Sequence, residues 1–252
     1  MRFQVLGVPI DNVTRQQAID WLETAIERHA APPRSVFFVN AHTLNLAATD
    51  PAYRSTLQMA DYVFADGTGV RWAAKLQGVR VLENINGTDF VPGWFEKTAG
   101  RGHSYFLLGA DFKTIELAAD HAKRNFNGWK QAGFHHGYLN DEAATAGAIA
   151  CINAVEPDVL LVGMGNPLQE RWILQHLPKL NVSVCLGIGG LFDFWAGNVS
   201  RAPGWLRSAG HEWLWRLYQQ PGQKLRRYVL GNPLFLARIL RERLGKFGSR
   251  LN

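Results

Sequence analysis

Only two cysteines, Cys151 and Cys185, occur in 252 residues. That excludes a disulfide-stapled scaffold and a cysteine-ligated zinc module, and the apolar surroundings of both predict buried free thiols, as in a reducing compartment. No run of eighteen apolar residues is present, so no segment reads as a bilayer-spanning helix. The opening MRFQVLGVPIDNV alternates like a strand and lacks the apolar centre and cleavage site of a signal peptide. Gly-x-Gly-x-x-Gly after the first strand is missing, as are the Gly-Lys-Ser/Thr phosphate loop, the Gly-x-Ser-x-Gly elbow and the His-Glu-x-x-His pair. These gaps argue against a standard dinucleotide enzyme, a P-loop nucleotidase, a serine hydrolase and a zincin. A Tyr-x-x-x-Lys pair is also lacking, which argues against a nucleotide-sugar epimerase.

What is present is an uneven charge map. The chain is +6 overall, yet residues 201–252 hold eleven Lys or Arg against Glu212 and Glu242, so residues 1–200 are net negative. Nine of the basic residues are arginines, interleaved with Trp, Leu, Ile and Phe. A mildly acidic body with a basic, aromatic tail predicts a domain that presses one end against an anion: a membrane surface, a pyrophosphate or a nucleic acid. The tail's charges alternate with apolar residues at helical spacing, as in interfacial helices, which favours the membrane and disfavours nucleic acid. The composition (47% hydrophobic, 19% charged) is otherwise that of one globular α/β domain with a helical addition.

Along residues 1–200, short apolar runs alternate with amphipathic stretches. Strands are predicted at Phe3–Leu6, Ser35–Val39, Tyr62–Ala65, Ser104–Leu108, Gln131–His135, Val159–Val162 and Ser183–Leu186. Helices are predicted at Arg15–Arg28, Leu44–Ala47, Pro51–Gln58, Gly69–Leu76, Thr88–Thr98, Phe112–Asn125, Asp141–Ala154 and Gln169–His176, with Asp141 and Thr88-Asp89 as starts. The alternation predicts an α/β fold, a Rossmann-like, mostly parallel sheet covered by helices. From Arg201 the strand signal stops, and two basic amphipathic helices follow, broken at Pro221 and at Gly231-Asn232-Pro233. The predicted division is a catalytic domain at 1–200 and a helical appendage at 201–252.

In such sheets ligands bind beyond the carboxyl ends of the strands. Four ends stand out: Val39-Asn40-Ala41-His42, Phe64-Ala65-Asp66-Gly67-Thr68-Gly69, the Gly163–Glu170 turn, and Gly187–Asp193. Glycine-rich turns opening helices expose backbone N–H groups that suit phosphate, although a tight turn alone would look the same. Asp66, at a strand tip before a flexible turn, suits a general base; the competing reading is a cap for the helix at Gly69–Leu76. Asp193 reads as a cap, an ion-pair partner or a group facing a nucleotide. His42 reads as a polar loop residue and His135-His136 as a strand edge.

Together, ADGTGV (Ala65–Val70), NGTDFV (Asn86–Val91), GMGNPLQERWI (Gly163–Ile173) and GIGGLFDFWAGNVSRAPGWLRSAGHEWLWRL (Gly187–Leu217) resemble the WecG/TagA/CpsF family of bacterial glycosyltransferases, over almost the whole chain. The resemblance implies transfer of a sugar from a UDP-sugar to a polyprenyl-diphosphate-linked sugar at the inner face of the cytoplasmic membrane. It further implies inversion at the anomeric carbon, no required metal, no cofactor, and a carboxylate base at Asp66. The donor-binding set it suggests is Asn40, Gly109, Gly163, Gly165, Asn166, Gln169, Glu170, Gly189 and Asp193. Arg216, Arg226 and Arg227 match the tail arginines expected to hold the acceptor diphosphate, whose planar forks grip phosphate oxygens in pairs. Trp205, Trp213 and Trp215 have two readings, at the headgroup level or packing the tail onto the body. The tail's apolar faces also leave room for packing on a second copy of the chain.

Three departures from the family pattern stand out, two of which remove phosphate- or sugar-directed polar groups and so bear on the donor. Phe38 stands where Thr is common, Asn84 and Asn86 occupy a stretch where Arg is common, and Gln220-Pro221-Gly222-Gln223 replaces an acid–Pro–x–basic segment. Two candidate donors therefore stay open, UDP-N-acetylmannosamine and UDP-glucose, for cell-surface or exopolysaccharide synthesis.

Overall fold

The computed structural model describes residues 1–29, 31–204, 206, 212–219, 221–225 and 229–248. Among these, eight strands form one sheet: β1 (Arg2–Val5), β2 (Val8–Asp11), β3 (Arg34–Val39), β4 (Tyr62–Ala65), β5 (Ser104–Gly109), β6 (Lys130–His135), β7 (Val159–Gly163) and β8 (Val184–Gly187), in the spatial order β1-β2-β4-β3-β8-β7-β5-β6. All pairs are parallel except β1–β2. The mostly parallel, helix-covered architecture is as predicted.

The first strand is the main correction. The alternating opening segment is two strands of a hairpin, and Leu6, expected inside a strand, is in the turn. Leu6 and Gly7 take φ of +50° and +79°, positive at both central positions, as a tight hairpin turn with the strands' own twist requires. The hairpin joins the sheet edge through Asp11, which pairs with Arg2 at 2.7 Å and accepts from the backbone N–H of Val63 at 3.0 Å.

Helices cover both faces. The strands send alternate side chains to two cores, because successive residues of a strand point to opposite faces. One core gathers Val36, Phe38, Phe64, Tyr105 and Leu107 under α1 (Arg15–Glu27), α5 (Gly87–Lys97), α6 (Phe112–Asn125) and α9 (Leu191–Trp195). The other gathers Phe37, Val39, Val63, Leu108 and Leu160 under α2 (Ala41–Thr49), α3 (Pro51–Met59), α4 (Thr68–Leu76), α7 (Glu142–Val155) and α8 (Leu168–His176). Asp141 caps α7 as predicted, accepting from Ala144 N–H, whereas α5 is capped by Asn86 and not by Thr88-Asp89. Cys185 is buried in the second core, but Cys151 lies on the exposed side of α7, against expectation. The α7 sequence is apolar all round, so composition gave no hint of which side faces water.

The tail contributes α10 (Glu212–Gln219), α11 (Pro221–Leu225) and α12 (Gly231–Gly248). Gly231-Asn232-Pro233, predicted as a break, lies at the start of α12, directly after the helical residues 229–230. That helix is docked on the body. Phe235 and Ile239 are fully buried in the second core, and each contributes roughly 1.5–3 kcal/mol of burial. Asn45 Nδ2 donates to Gly231 O at 2.7 Å, Arg238 donates to Asn45 O and Oδ1 at 2.9 and 2.8 Å, and Leu6 N–H donates to Glu242 at 3.2 Å. Among the described residues no helix is long and apolar enough to cross a membrane.

Strand ends are aligned by a device used twice. At the start of β3, Ser35 N–H and Oγ both donate to Asp61, just before β4, at 2.9 Å each. At the start of β5, Ser104 N–H and Oγ donate to Asp158, just before β7, at 2.7 and 2.8 Å. At the other end, β5 and β7 approach so closely that only glycine fits. A Cβ on Gly109, whose φ is +143°, would lie 2.4 Å from Gly163 O, and one on Gly163 would lie 2.6 Å from the buried Phe192 ring. Gly109→Ala is expected to destabilise the protein by about 2–4 kcal/mol, combining backbone strain with overpacking, as a lowered urea midpoint at unchanged m-value.

Candidate active site

The chain leaves β3 toward β4 and leaves β5 toward β6, in opposite directions across the sheet. The reversal falls over β8 and β7, and there the carboxyl ends of the central strands leave a crevice, as strand-order reversals do in open parallel sheets. Five strand ends converge on it: Asp66 after β4, Asn40 after β3, Gly187–Gly190 at β8, Gly163–Pro167 at β7 and Gly109 at β5.

Asp66 and Asn40 meet directly. The Asp66 N–H donates to Val39 O at 2.8 Å, extending the β3–β4 ladder by one rung. Asn40 caps α2, its Oδ1 accepting from the N–H groups of His42 (3.0 Å) and Thr43 (3.3 Å). This fixes which way the amide faces, since Oδ1 takes the helix donors and Nδ2 is left to donate to Asp66 Oδ2 at 3.2 Å. His42, expected in a loop, is in the first turn of α2. The residue at the cap position of α4 is Gly67, at φ +90°, so Asp66 stands one residue before the cap. Asp66 is half-buried at the crevice. Its neighbours are tied down on both sides, Ala65 O by the Ile85 N–H at 2.9 Å and the Gly67 N–H by Asn84 Oδ1.

The β7 and β8 turns are joined by side chains that sequence reading assigned to ligand. Gln169 is fully buried; its Oε1 accepts from Gly189 N–H at 3.0 Å and its Nε2 donates to Glu170 at 2.9 Å. Asn166 also donates to Glu170 Oε1. One amide expected for phosphate, that of Gly189, is therefore engaged by Gln169. Glu170 points into the body beneath the turn, beside Tyr53 of α3. Gly165 takes φ +79° and has open space where a Cβ would be. Asp193 lies half-buried in the first turn of α9. Arg216 falls within α10, its side chain outside what is described, and Arg226 and Arg227 lie outside the described residues, as does Trp205. Trp215 packs the tail inward, donating to Ser200 O at 3.2 Å.

One contributor to the site escaped the sequence reading. Arg201, counted there only as tail charge, pairs with Asp89 at 2.7 Å and donates to Thr88 O at the first turn of α5. Its signal was in the sequence: Pro92, four residues after Thr88, has no N–H to give that carbonyl, so an outside donor is needed.

Burial shifts the Glu170 acid up to about 7, against hydrogen bonds from Gln169 and Asn166 that favour the ion. A carboxyl whose folded pKa exceeds its unfolded value holds extra protons in the folded state. Its stabilisation is complete below the unfolded value of 4.5 and is lost as pH rises through about 7. The loss is on the order of 3 kcal/mol. Glu170→Gln, which mimics the neutral acid, is expected to remove this slope, measured as the difference between urea stabilities at pH 5 and pH 8 in the two proteins.

Comparison with known proteins gives the chain its family. The N-acetylglucosaminyldiphosphoundecaprenol N-acetyl-beta-D-mannosaminyltransferase of Staphylococcus aureus strain NCTC 8325 is 30% identical over 215 residues, 85% of this chain and 84% of that protein. Those of strains COL and MRSA252 match over the same shares at the same identity. The nucleic-acid reading of the basic tail finds no support among these relatives. The model of the glycosyl transferase WecG/TagA/CpsF family matches residues 3–248, and with it the strand-end motifs around Asp66, Asn86 and Gly163, so the chain belongs to that family and is a glycosyltransferase.

Proposed function

We propose that the protein moves a hexose or N-acetylhexosamine from a UDP-sugar to a polyprenyl-diphosphate-linked sugar, with inversion and without a metal ion, in cell-surface or exopolysaccharide synthesis. The observation that carries the reading is Asp66, rigid at a strand tip and hydrogen-bonded to an amide whose orientation the α2 cap dictates. In the mechanism, Asp66 accepts the proton of the acceptor hydroxyl as that oxygen attacks the anomeric carbon, and the UDP leaves on the opposite face. Asn40 orients the carboxylate through its bond to Asp66 Oδ2. The charge growing on the departing diphosphate is met by backbone N–H groups of the β7 turn and by tail arginines, donors fixed in place before the reaction. Gln169 and Glu170 hold those turns. The relatives' names favour N-acetylmannosamine as the sugar moved and an N-acetylglucosaminyl-diphosphate lipid as acceptor; UDP-glucose is the second donor to test.

Residues 201–252 serve in this reading as the acceptor- and membrane-facing unit, with Arg216, Arg226 and Arg227 on the lipid diphosphate. Among the described residues of the tail, eight large apolar side chains, Leu214, Tyr218, Leu230 and Leu244 among them, are exposed. This is the composition of a surface that lies on anionic lipid at the inner face of the cell membrane, or that packs against a second copy before it meets one.

UDP release from a panel of UDP-sugars with a short-chain prenyl-diphosphate sugar, run with a chelator present, is expected to succeed with one of the two named donors. Asp66→Asn should cut turnover by about 10²–10⁴-fold while UDP binding persists; near-normal turnover would reject the base assignment. Because Phe235 and Ile239 anchor α12 in the core, the tail is better tested by neutralising charge than by deletion. Replacing Arg216, Arg226 and Arg227 with Gln should weaken sedimentation with anionic vesicles by up to about 100-fold, at roughly 1 kcal/mol per charge. Unchanged sedimentation would remove these arginines from the membrane contact.

A further inference from the structure

The segment that frames Asp66 is held from outside by Arg201. Pro92, inside α5, deprives the Thr88 carbonyl of its helical donor. Arg201 replaces that donor, its guanidinium bonding Thr88 O, pairing with Asp89 at 2.7 Å and lying over the Phe194 ring at 5.0 Å. Asp89 is in turn bonded by Asn86 Nδ2 at 2.9 Å, and Asn86 Oδ1 caps the Asp89 N–H at 2.8 Å. Two residues earlier the same segment grips both neighbours of Asp66, through Ile85 N–H to Ala65 O and Asn84 Oδ1 to Gly67 N–H. On its other side Arg201 adjoins Ser200, the residue that receives α10: Gln219 Nε2 donates to Ser200 O at 3.0 Å, and Ser200 N–H donates to Gln219 Oε1 at 2.7 Å.

We propose that Arg201 is a positioning residue for the reaction: it anchors the 84–89 segment, and so the Asp66 loop, to the point where the basic tail leaves the body. The tail and the base are thereby parts of one hydrogen-bonded frame. The inference rests on the reading of Asp66 as the base, and Arg201 acts through residues 84–89 without touching either sugar.

Pro92 provides the means to separate positioning from folding. Arg201→Met leaves the Thr88 carbonyl without a donor and is expected to lower Tm. Adding Pro92→Ala gives position 92 an N–H for that carbonyl and should restore Tm, yet the link from Asp89 to the tail stays cut. The double variant is therefore expected to lose about tenfold or more in kcat with donor KM within about twofold, the pattern of an interaction felt in the transition state only. Its Gly67 amide should exchange with solvent faster than in the wild type. Wild-type kcat and wild-type Gly67 exchange in the double variant would reduce Arg201 to a fold stabiliser and overturn the proposal. A raised KM at unchanged kcat would overturn it too, by making Arg201 a donor ligand. The exchange measurement needs no substrate: should no donor be turned over even by the wild type, faster exchange at Gly67 still supports the anchor and unchanged exchange still rejects it, while the proposed activity falls separately.

Discussion

Everything at the site depends on parallel strands that end level with one another, and that alignment is clamped at both ends. At the amino ends the Ser35–Asp61 and Ser104–Asp158 clasps each place two hydrogen bonds on one carboxylate oxygen, a charge-assisted pairing worth more than an ordinary amide bond. At the carboxyl ends a Cβ on Gly109 of β5 would strike Gly163 O of β7, and one on Gly163 would strike the Phe192 ring of α9, so both positions need glycine. A slip of one residue in a strand would turn every apolar side chain to the opposite core and carry the strand-end groups away from the crevice. The register that fills the two cores is thus the same register that delivers Asn40 beside Asp66.

Polar side chains at the crevice are arranged in layers of restraint. Asn40 is oriented by the helix it caps, and Gln169 by Gly189 on one side and Glu170 on the other. Glu170 lies deepest, and burial favours its neutral form, in which one oxygen accepts from both Asn166 and Gln169. Tyr53, beside it, has its hydroxyl pushed up first by burial and then by the carboxylate. Such preorganisation lets a site present fixed dipoles to a charge that appears only in the transition state.

Among the described residues the tail is interwoven with the body around Ser200–Arg201 and along α12. Ser200 and Arg201 join it to the first turn of α5, and α12 seats Phe235 against Gly69, three residues beyond Asp66. Its positive charge is therefore not all available to an anion outside: Arg201 is paired with Asp89, and Arg238 donates to Asn45.

The sequence by itself determined the class of fold, nearly all the helices and the strand-end loops, because periodicity and glycine placement are local and each element's pattern agrees with its neighbours'. It also singled out Asp66, since an acid between an apolar strand and a glycine turn has few places to go. It left the opening hairpin hidden, because a Leu-Gly turn gives a weaker signal than Asn-Gly and the alternation of polarity runs straight through it. Only the tertiary structure decided that Gln169 and Glu170 face inward, that Cys151 faces out, and that Arg201 serves the Thr88 carbonyl across 113 positions of sequence. Those outcomes depend on which distant surface each side chain meets, and a local pattern carries no record of it.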